Sequence, residues 1–412
     1  MINRRCFLSH VLVGGSIAQP VGRCRAFETP GAIGQHAEGS QHVRIDSAEQ
    51  FVIQGARGLK WILIRLRTNQ GIEGIGECWP WFQRGVIDRV RTVTEAVQGA
   101  SPLDAIALRQ RLSRLGTGLA WRTALSGVEI AIWDILGQTY GVPIHTLLGG
   151  ATRNRIPLYA NHGMFLPNAD TLEARIARIV AAKDAGFTAV KWDPTTPYGP
   201  RGHKDIAAVV NEIAAVRRAV GPDFVLGIDA HNNLSLPGAL ALAPQLDRFK
   251  LMFFEAPVLW PNNDQAGVNR PKALRQVAAQ TKTPIAIGEW LYDPQEAARL
   301  MQTTPIRVIQ PEISQVGGIR DMWNLSTFAQ MQQVRVAAHH WTGPILALAT
   351  SHVSAAIPNL LRQEYAAALS NDSWEYDLVE PPLQIEKGQM VVTNRPGLGA
   401  KLNEKLVRQR FP

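Results

Sequence analysis

Three acids in this chain close or closely follow short apolar runs: Asp229 after "FVLGI", Glu255 after "LMFF", and Glu289 just past "IAI". Like charges brought together repel and raise one another's pKa. A hard divalent cation relieves that repulsion. Three carboxylates with open positions suit Mg2+, which keeps waters and takes further oxygens from a ligand. The alternative is a lysine or arginine partner for each acid, but no cation recurs at matching positions. Around them lie groups able to move protons: Lys191 and Asp193, His231 two residues beyond Asp229, Glu312 in "IQPEISQVGG", the pair His339-His340, and Glu364. A lone histidine is more often structural than catalytic. Two of them, His231 and His339, flanking three carboxylates point to acid–base chemistry. His340 is one residue off and is expected to face away from its neighbour.

Such a set needs a scaffold that brings the ends of many strands to one place. From residue 156 the apolar runs are "IPLY" (156–159), "FTAVK" (187–191), "FVLGI" (224–228), "LMFF" (251–254), "IAI" (285–287), "IRVI" (306–309), "VRVA" (334–337) and "NLLR" (359–362). Helical patterns separate them, such as 171–185 with Asp170 as its N-cap, and 205–220. Short apolar strands alternating with amphipathic helices mean parallel βα units. Eight in one run favour a closed barrel, whose chemistry sits at the C-terminal ends of its strands. The acids and histidines above fall there. An open doubly wound sheet would want a glycine-rich phosphate loop after its first strand, and none is present.

Residues 40–155 read as a separate α+β domain. "KWILIRLRTNQGIEGIGE" alternates like a hairpin turning near Asn69-Gln70-Gly71, and helical segments follow at 83–98, 103–113 and 121–140. The barrel is expected over 156–368. In the tail, 369–412, "LQIEKGQMVVTNRPGLG" reads as a second hairpin, expected to return to the first domain.

Composition narrows the functions. No stretch reaches the roughly 18 apolar residues of a membrane span. The formal charge is +9, and removing the four arginines and no acid of residues 1–26 leaves +5. The basic residues are scattered, so there is no nucleic-acid footprint. A mildly positive field suits a small anionic substrate. Cys6, Cys24 and Cys78 fit no zinc spacing. "NRRCFLSHVLVGGSIA" resembles a twin-arginine export signal over residues 1–26. Export to the periplasm is therefore expected, and a cytoplasmic location otherwise.

Several stretches together resemble the mandelate racemase subgroup of the enolase superfamily: "SGVEIAIWDILGQTYGVPIHTLLGG", "VKWDP", "GIDAHNN", "FFEAPV", "AIGEW", "IQPEISQVGGI", "AAHHWTGPI" and "PGLG". The resemblance implies a capping domain over a modified (β/α)7β barrel of the TIM type. It implies Mg2+ on Asp229, Glu255 and Glu289, and removal of the proton α to a carboxylate. Racemases and several dehydratases of the subgroup carry Lys-x-Lys on the second strand. Here the stretch is Lys191-Trp192-Asp193, and Asp229-x-His231 instead resembles galactonate and related sugar-acid dehydratases. That implies His339 as base, His231 as the acid that protonates a departing β-hydroxyl, and Glu364 as partner of the substrate carboxylate. Lys191 joins the catalytic set and Asp193 the substrate contacts. The expected reaction turns an aldonic acid into a 2-keto-3-deoxy acid. The alternatives are a racemase or epimerase of a 2-hydroxy acid, and a non-catalytic exported homologue. Expected partners are the small carboxylate substrate and further copies of the chain. Where the subgroup has "QPD", this chain has "QPE", so Glu312 must reach His339 on a longer arm. A stretched pair predicts that Glu312→Asp preserves or raises turnover. Trp290 replaces the usual arginine after Glu289, and "CWPWF" (78–82) gives the pocket an aromatic wall.

Overall fold

A computed structural model of the chain describes residues 43–54, 60–79, 85–162, 171–196, 205–258, 270–366 and 374–411. The export-like segment, Asp170 and most of "CWPWF" lie outside the described residues. The first sheet is antiparallel, in the order β1 (Ile45–Gln54), β2 (Lys60–Thr68), β3 (Glu73–Cys78). Gly71, at φ 78°, supplies the left-handed residue of the β2–β3 turn, which Thr68 N closes on Ile72 O at 2.9 Å. Alternation along β2 divides its side chains between two cores. Ile62, Ile64 and Leu66 pack under the domain's own helices, whereas Trp61 and Leu63 join the core shared with the barrel.

Those helices are α1 (Val86–Val97), α2 (Ala105–Leu112) and α3 (Leu119–Tyr140), each close to its expected span. α3 lies against β3 because β3 carries glycine where they meet. A Cβ at Gly76 would stand 1.9 Å from Gly127 O, and one at Gly74 would stand 2.2 Å from Ala131 O.

Eight parallel strands form the second body: β4 (Arg155–His162), β5 (Ala189–Trp192), β6 (Val225–Asp229), β7 (Phe254–Glu255), β8 (Ile285–Ile287), β9 (Val308–Ile309), β10 (Arg335–Ala338) and β11 (Leu360–Tyr365). They pair in sequence order, and β11 pairs with β4 to close the ring. Between them run α4 (Leu172–Asp184), α5 (Ile206–Val220), α6 (Leu236–Leu246), α7 (Arg270–Ala278), α8 (Pro294–Thr303), α9 (Ile319–Met331) and α10 (Pro344–Ala356). Thr171, not Asp170, caps α4, accepting from Ala174 N.

Tyr159, Ala189, Phe253, Ala286, Val308 and Ala337 form a small buried cluster of their own. Two residues further along the same strands, on the same side of the pleat, stand Asn161, Lys191, Glu255, Gly288, Gln310 and His339. An apolar layer thus carries a polar layer directly above it.

The tail departs from expectation. Its hairpin, β12 (Ile385–Glu386) and β13 (Gln389–Val391), pairs with the start of β4, Met390 opposite Ile156, so it extends the barrel sheet. Only the chain beyond it returns to the first domain. There Leu398 N donates to Asp134 at 2.8 Å, and the ring of Phe411 meets that of Phe51 edge-on at 5.6 Å.

Candidate active site

Lys191 is fully buried on β5, and its Nζ lies 3.3 Å from Asp229, 3.1 Å from Glu255 and 3.3 Å from Glu364. It is the cation that the chain's linear order conceals. Burial alone would lower its pKa, but Glu255, Glu364 and Asp229 outweigh that and raise it well above the usual lysine value. In this arrangement the ammonium is the counter-ion of three carboxylates.

Asp229 and Glu255 end neighbouring strands as register partners. Burial, and then the charge of Asp229, push Glu255 up to about 8. Gln310 Nε2 donates to Glu255 at 2.6 Å. Glu289 follows β8 past Gly288, where a Cβ would stand 2.4 Å from Gln310 N. The donor set is oxygen-only and anionic, which is what a hard divalent cation takes, and the crowding that lifts Glu255 is what such a cation relieves. Among the described residues no three acids, histidines or cysteines are placed so that they could hold a metal ion as they stand. Asp229 and Glu255 are gathered on Lys191, and Glu289 leans on His339 at 3.4 Å.

Each histidine has a carboxylate on its Nδ1. His339 Nδ1 donates to Glu312 Oε2 at 2.9 Å. The longer arm of Glu312 is fully used, because its Oε1 accepts from Ser314 N at 3.2 Å and so caps the single turn Ile313–Val316. The pair is not stretched. On the other side His231 Nδ1 donates to Asp193 Oδ2 at 2.8 Å, and its Nε2 lies 3.2 Å from Asp229. Burial works against both imidazolium ions. Glu364, Glu289 and Glu312 nevertheless raise His339 to about 10, and Asp229 and Asp193 raise His231 to about 10.

Asp193 is also heavily engaged by the protein itself. Beyond His231 it accepts from Thr195 N and Oγ1, both at 2.6 Å, and from Thr196 N and Oγ1 at 3.1 and 2.6 Å. Burial opposes its charge, but His231 and the threonines hold it at about 2. Glu364 is saturated in the same way. It accepts from Tyr159 OH at 3.1 Å, from Asn161 Nδ2 and from His340 N at 3.1 Å. Burial raises it, but Lys191 and His339 prevail and hold it at about 2. It is therefore an anion held between Lys191 and His339. His340 faces away, its Nε2 on Gly343 O at 3.1 Å. Trp79 is buried in the core shared with the barrel.

Tyr159, Asn161, Gln310, Thr195 and Thr196 were not foreseen. Asn161 had a signal, since it lies next to the end of the first barrel strand, near where the acids close theirs. The threonines had none beyond their nearness to Asp193.

Comparison with known proteins agrees with this architecture. Residues 46–149 match the family model of the mandelate racemase / muconate lactonizing enzyme N-terminal domain, and residues 174–406 match the enolase C-terminal domain-like model. The chain is 30% identical to a D-galactonate dehydratase of Verminephrobacter eiseniae, over 85% of this chain and 91% of that protein. It is 29% identical to a D-xylonate dehydratase of Haloferax volcanii, over 89% and 88%. A mandelate racemase/muconate lactonizing enzyme-like protein from Rubrobacter xylanophilus superposes with a TM-score of 0.81, at 29% identity, covering 90% of this chain and 98% of that one.

Proposed function

This chain belongs to the mandelate racemase/muconate lactonizing enzyme family of the enolase superfamily, and on that premise we propose that it is a hydro-lyase that dehydrates an aldonic acid to a 2-keto-3-deoxy acid. One observation carries the reading. Two imidazoles, each with Nδ1 tied to a buried carboxylate, turn Nε2 toward the carboxylate set, His231 toward Asp229 and His339 toward Glu289. Their strands, β6 and β10, stand four apart in the ring of eight. That arrangement supplies one base and one acid on opposite sides of a bound molecule.

Glu312 holds the His339 proton on Nδ1 and so leaves Nε2 to take the substrate's C2 proton. The electron pair released at C2 expels the C3 hydroxyl. That hydroxyl takes the proton from His231 Nε2 and leaves as water, and the enol product ketonises. Asp193 holds the His231 ring as Glu312 holds His339. Asp229, Glu255 and Glu289 would hold Mg2+. When bound, Mg2+ supplies the positive charge that makes a proton α to a carboxylate removable. Lys191 offsets part of the negative charge of the buried carboxylates.

The test is incubation of the full chain with Mg2+ and D-galactonate, D-xylonate and an aldonate library, with 2-keto acid read as the semicarbazone. Formation of the 2-keto acid is expected. Exchange of the C2 proton with D2O without loss of water would move the reading to epimerisation, and no turnover of any acid would overturn it. The Arg4-Arg5 segment supports a further proposal, export by the twin-arginine route. Fractionation of cells expressing the full chain with and without R4K/R5K tests it. Assembly with further copies is proposed from the family resemblance and is read by light scattering.

A further inference from the structure

Most barrel helices whose starts are described provide their own N-cap. Thr171, Asp205, Ser235 and Asp293 each accept from a first-turn N–H of α4, α5, α6 and α8. The helices α9 and α10 do not. They begin at Gly318 and Gly343, which have no side chain to offer. These are the two helices that follow Glu312 and His339.

In both cases the missing acceptor comes from the capping domain. Glu77, on β3, accepts from Gly343 N at 2.8 Å, Ile345 N at 3.1 Å and Leu346 N at 3.2 Å. Glu129, on α3, accepts from Ile319 N at 2.8 Å and Arg320 N at 3.1 Å. Both carboxylates are buried. The glycines make room for them. A Cβ at Gly343 would stand 2.4 Å from Glu77 Oε1, and one at Gly318 would stand 2.2 Å from Glu129 Oε2. α3 adds a third tie, from Ser126 Oγ to Ile313 O at 2.7 Å, directly beside Glu312. A carboxylate at a helix N-terminus also meets the positive end of the helix dipole.

We propose that Glu77 and Glu129 are positioning residues for the His339–Glu312 pair, so that docking of the capping domain sets the alignment of the base. The role assigned to the pair rests on the dehydratase reading; the clamp itself rests on the contacts above. Glu77 fixes the loop that leaves His339, and Glu129 fixes the loop that leaves Glu312. A misplacement of about 1 Å at a reacting group can cost on the order of 10²-fold, so two interdomain contacts of this kind bear on rate more than on substrate affinity.

The test uses the full chain and the variants Glu77→Gln, Glu77→Asp and Gly343→Ala. Gly343 has φ −87° and ψ −175°, open to alanine, so Gly343→Ala disturbs only the fit of Glu77 and replaces Glu77→Gln should that variant not fold. Three readouts are taken. Amide hydrogen exchange over 339–350 is expected to speed up in Glu77→Gln while α5 is unchanged. Carbethoxylation of His339 by diethylpyrocarbonate, mapped by mass spectrometry at one pH, is expected to speed up at least several-fold. With a sugar acid that the wild type dehydrates, kcat is expected to fall roughly 10-fold with KM within about twofold, and Glu77→Asp is expected to recover part of it. Faster exchange at 343–346 with His339 labelling and kcat unchanged would reduce Glu77 to a helix cap and overturn the proposal. Unchanged exchange would overturn it too. If the wild type dehydrates no sugar acid, the functional reading fails, while exchange and labelling still decide the positioning.

Discussion

Glu312 is the residue at which replacement has the most specific consequence. Its two oxygens serve two different partners: Oε2 takes the His339 Nδ1 proton at 2.9 Å and Oε1 takes Ser314 N–H at 3.2 Å. Glutamine has the same shape but only one acceptor oxygen. In Glu312→Gln the amide NH2 either opposes Ser314 N–H, donor against donor, or faces His339, whose Nδ1 must then accept and whose proton moves to Nε2, where the base should be free. A hydrogen bond to a charged group contributes about 1.5–3 kcal/mol, which corresponds to roughly 10- to 100-fold in rate if it acts only in the transition state. Glu312→Asp keeps both acceptors but draws them back by about 1.5 Å, beyond hydrogen-bond reach of at least one partner. Because the pair is already at bonding distance, shortening the arm lowers turnover, the reverse of what a stretched pair would give. The assay is kcat and KM for 2-keto acid formation, with C2-proton exchange in D2O to isolate the base step. Both variants should lose kcat and exchange together, with KM within about twofold. Wild-type exchange in Glu312→Gln would show that the carboxylate neither orients nor charges His339.

Three further outcomes follow from the same contacts. Asp193→Asn frees the acid and not the base, so dehydration should fall about 10-fold or more while C2-proton exchange persists; equal loss of both would make His231 part of the base step. The pH dependence of stability has a definite sign. Burial lifts Glu77 to about 8 and Glu129 and Asp134 to about 7, so the folded chain binds more protons than the unfolded one between the ordinary carboxylate range and there, and stability falls as pH rises. Asp193 and Glu364, held at about 2, contribute stability that is present above their unfolded pKa and is lost as pH falls toward 2. The unfolding midpoint should therefore peak on the acid side, at about pH 5, and Glu77→Gln should flatten its alkaline limb; a midpoint that rises from pH 5 to 8 would contradict this. Mg2+ at 100 times its dissociation constant should stabilise the chain by about 2.7 kcal/mol, and Glu289→Gln should remove most of that gain in a thermal scan.

The barrel was legible because each of its strands is a short run of buried apolar residues, and because period two places the residue after such a run at the mouth. The three acids and both histidines came out the same way. What stayed hidden was pairing. Lys191 and Glu364 lie far apart in the chain and meet only when β11 closes on β4, so nothing local marks Lys191 as a counter-ion. Asp193 reads like a mouth-facing acid, and only the fold turns it onto His231. Glu312 shows the converse. Its extra methylene looks like a defect in a one-dimensional motif and becomes a second hydrogen bond once the following turn is seen. Gly318 and Gly343 read as loop glycines, yet each is the space that a carboxylate of the other domain fills.

Charge gives the strongest argument for a cation in this site. Asp193, Asp229, Glu255, Glu289, Glu312 and Glu364 surround one ammonium, Lys191, and two imidazoles, His231 and His339. With both imidazoles protonated the six carboxylates still exceed the cations by three. An aldonate brings one more negative charge into a mouth walled by buried groups, where Coulomb repulsion is poorly screened. A divalent cation on Asp229, Glu255 and Glu289 would cut that excess from three to one and put positive charge within reach of the substrate carboxylate, so binding, and not only turnover, should need Mg2+. Calorimetric titration of the full chain with a sugar acid it dehydrates should give heat with Mg2+ and almost none after chelation. Equal affinity in both conditions would mean that positive charge reaches the substrate from elsewhere, and the assignment of the three acids would fall with it.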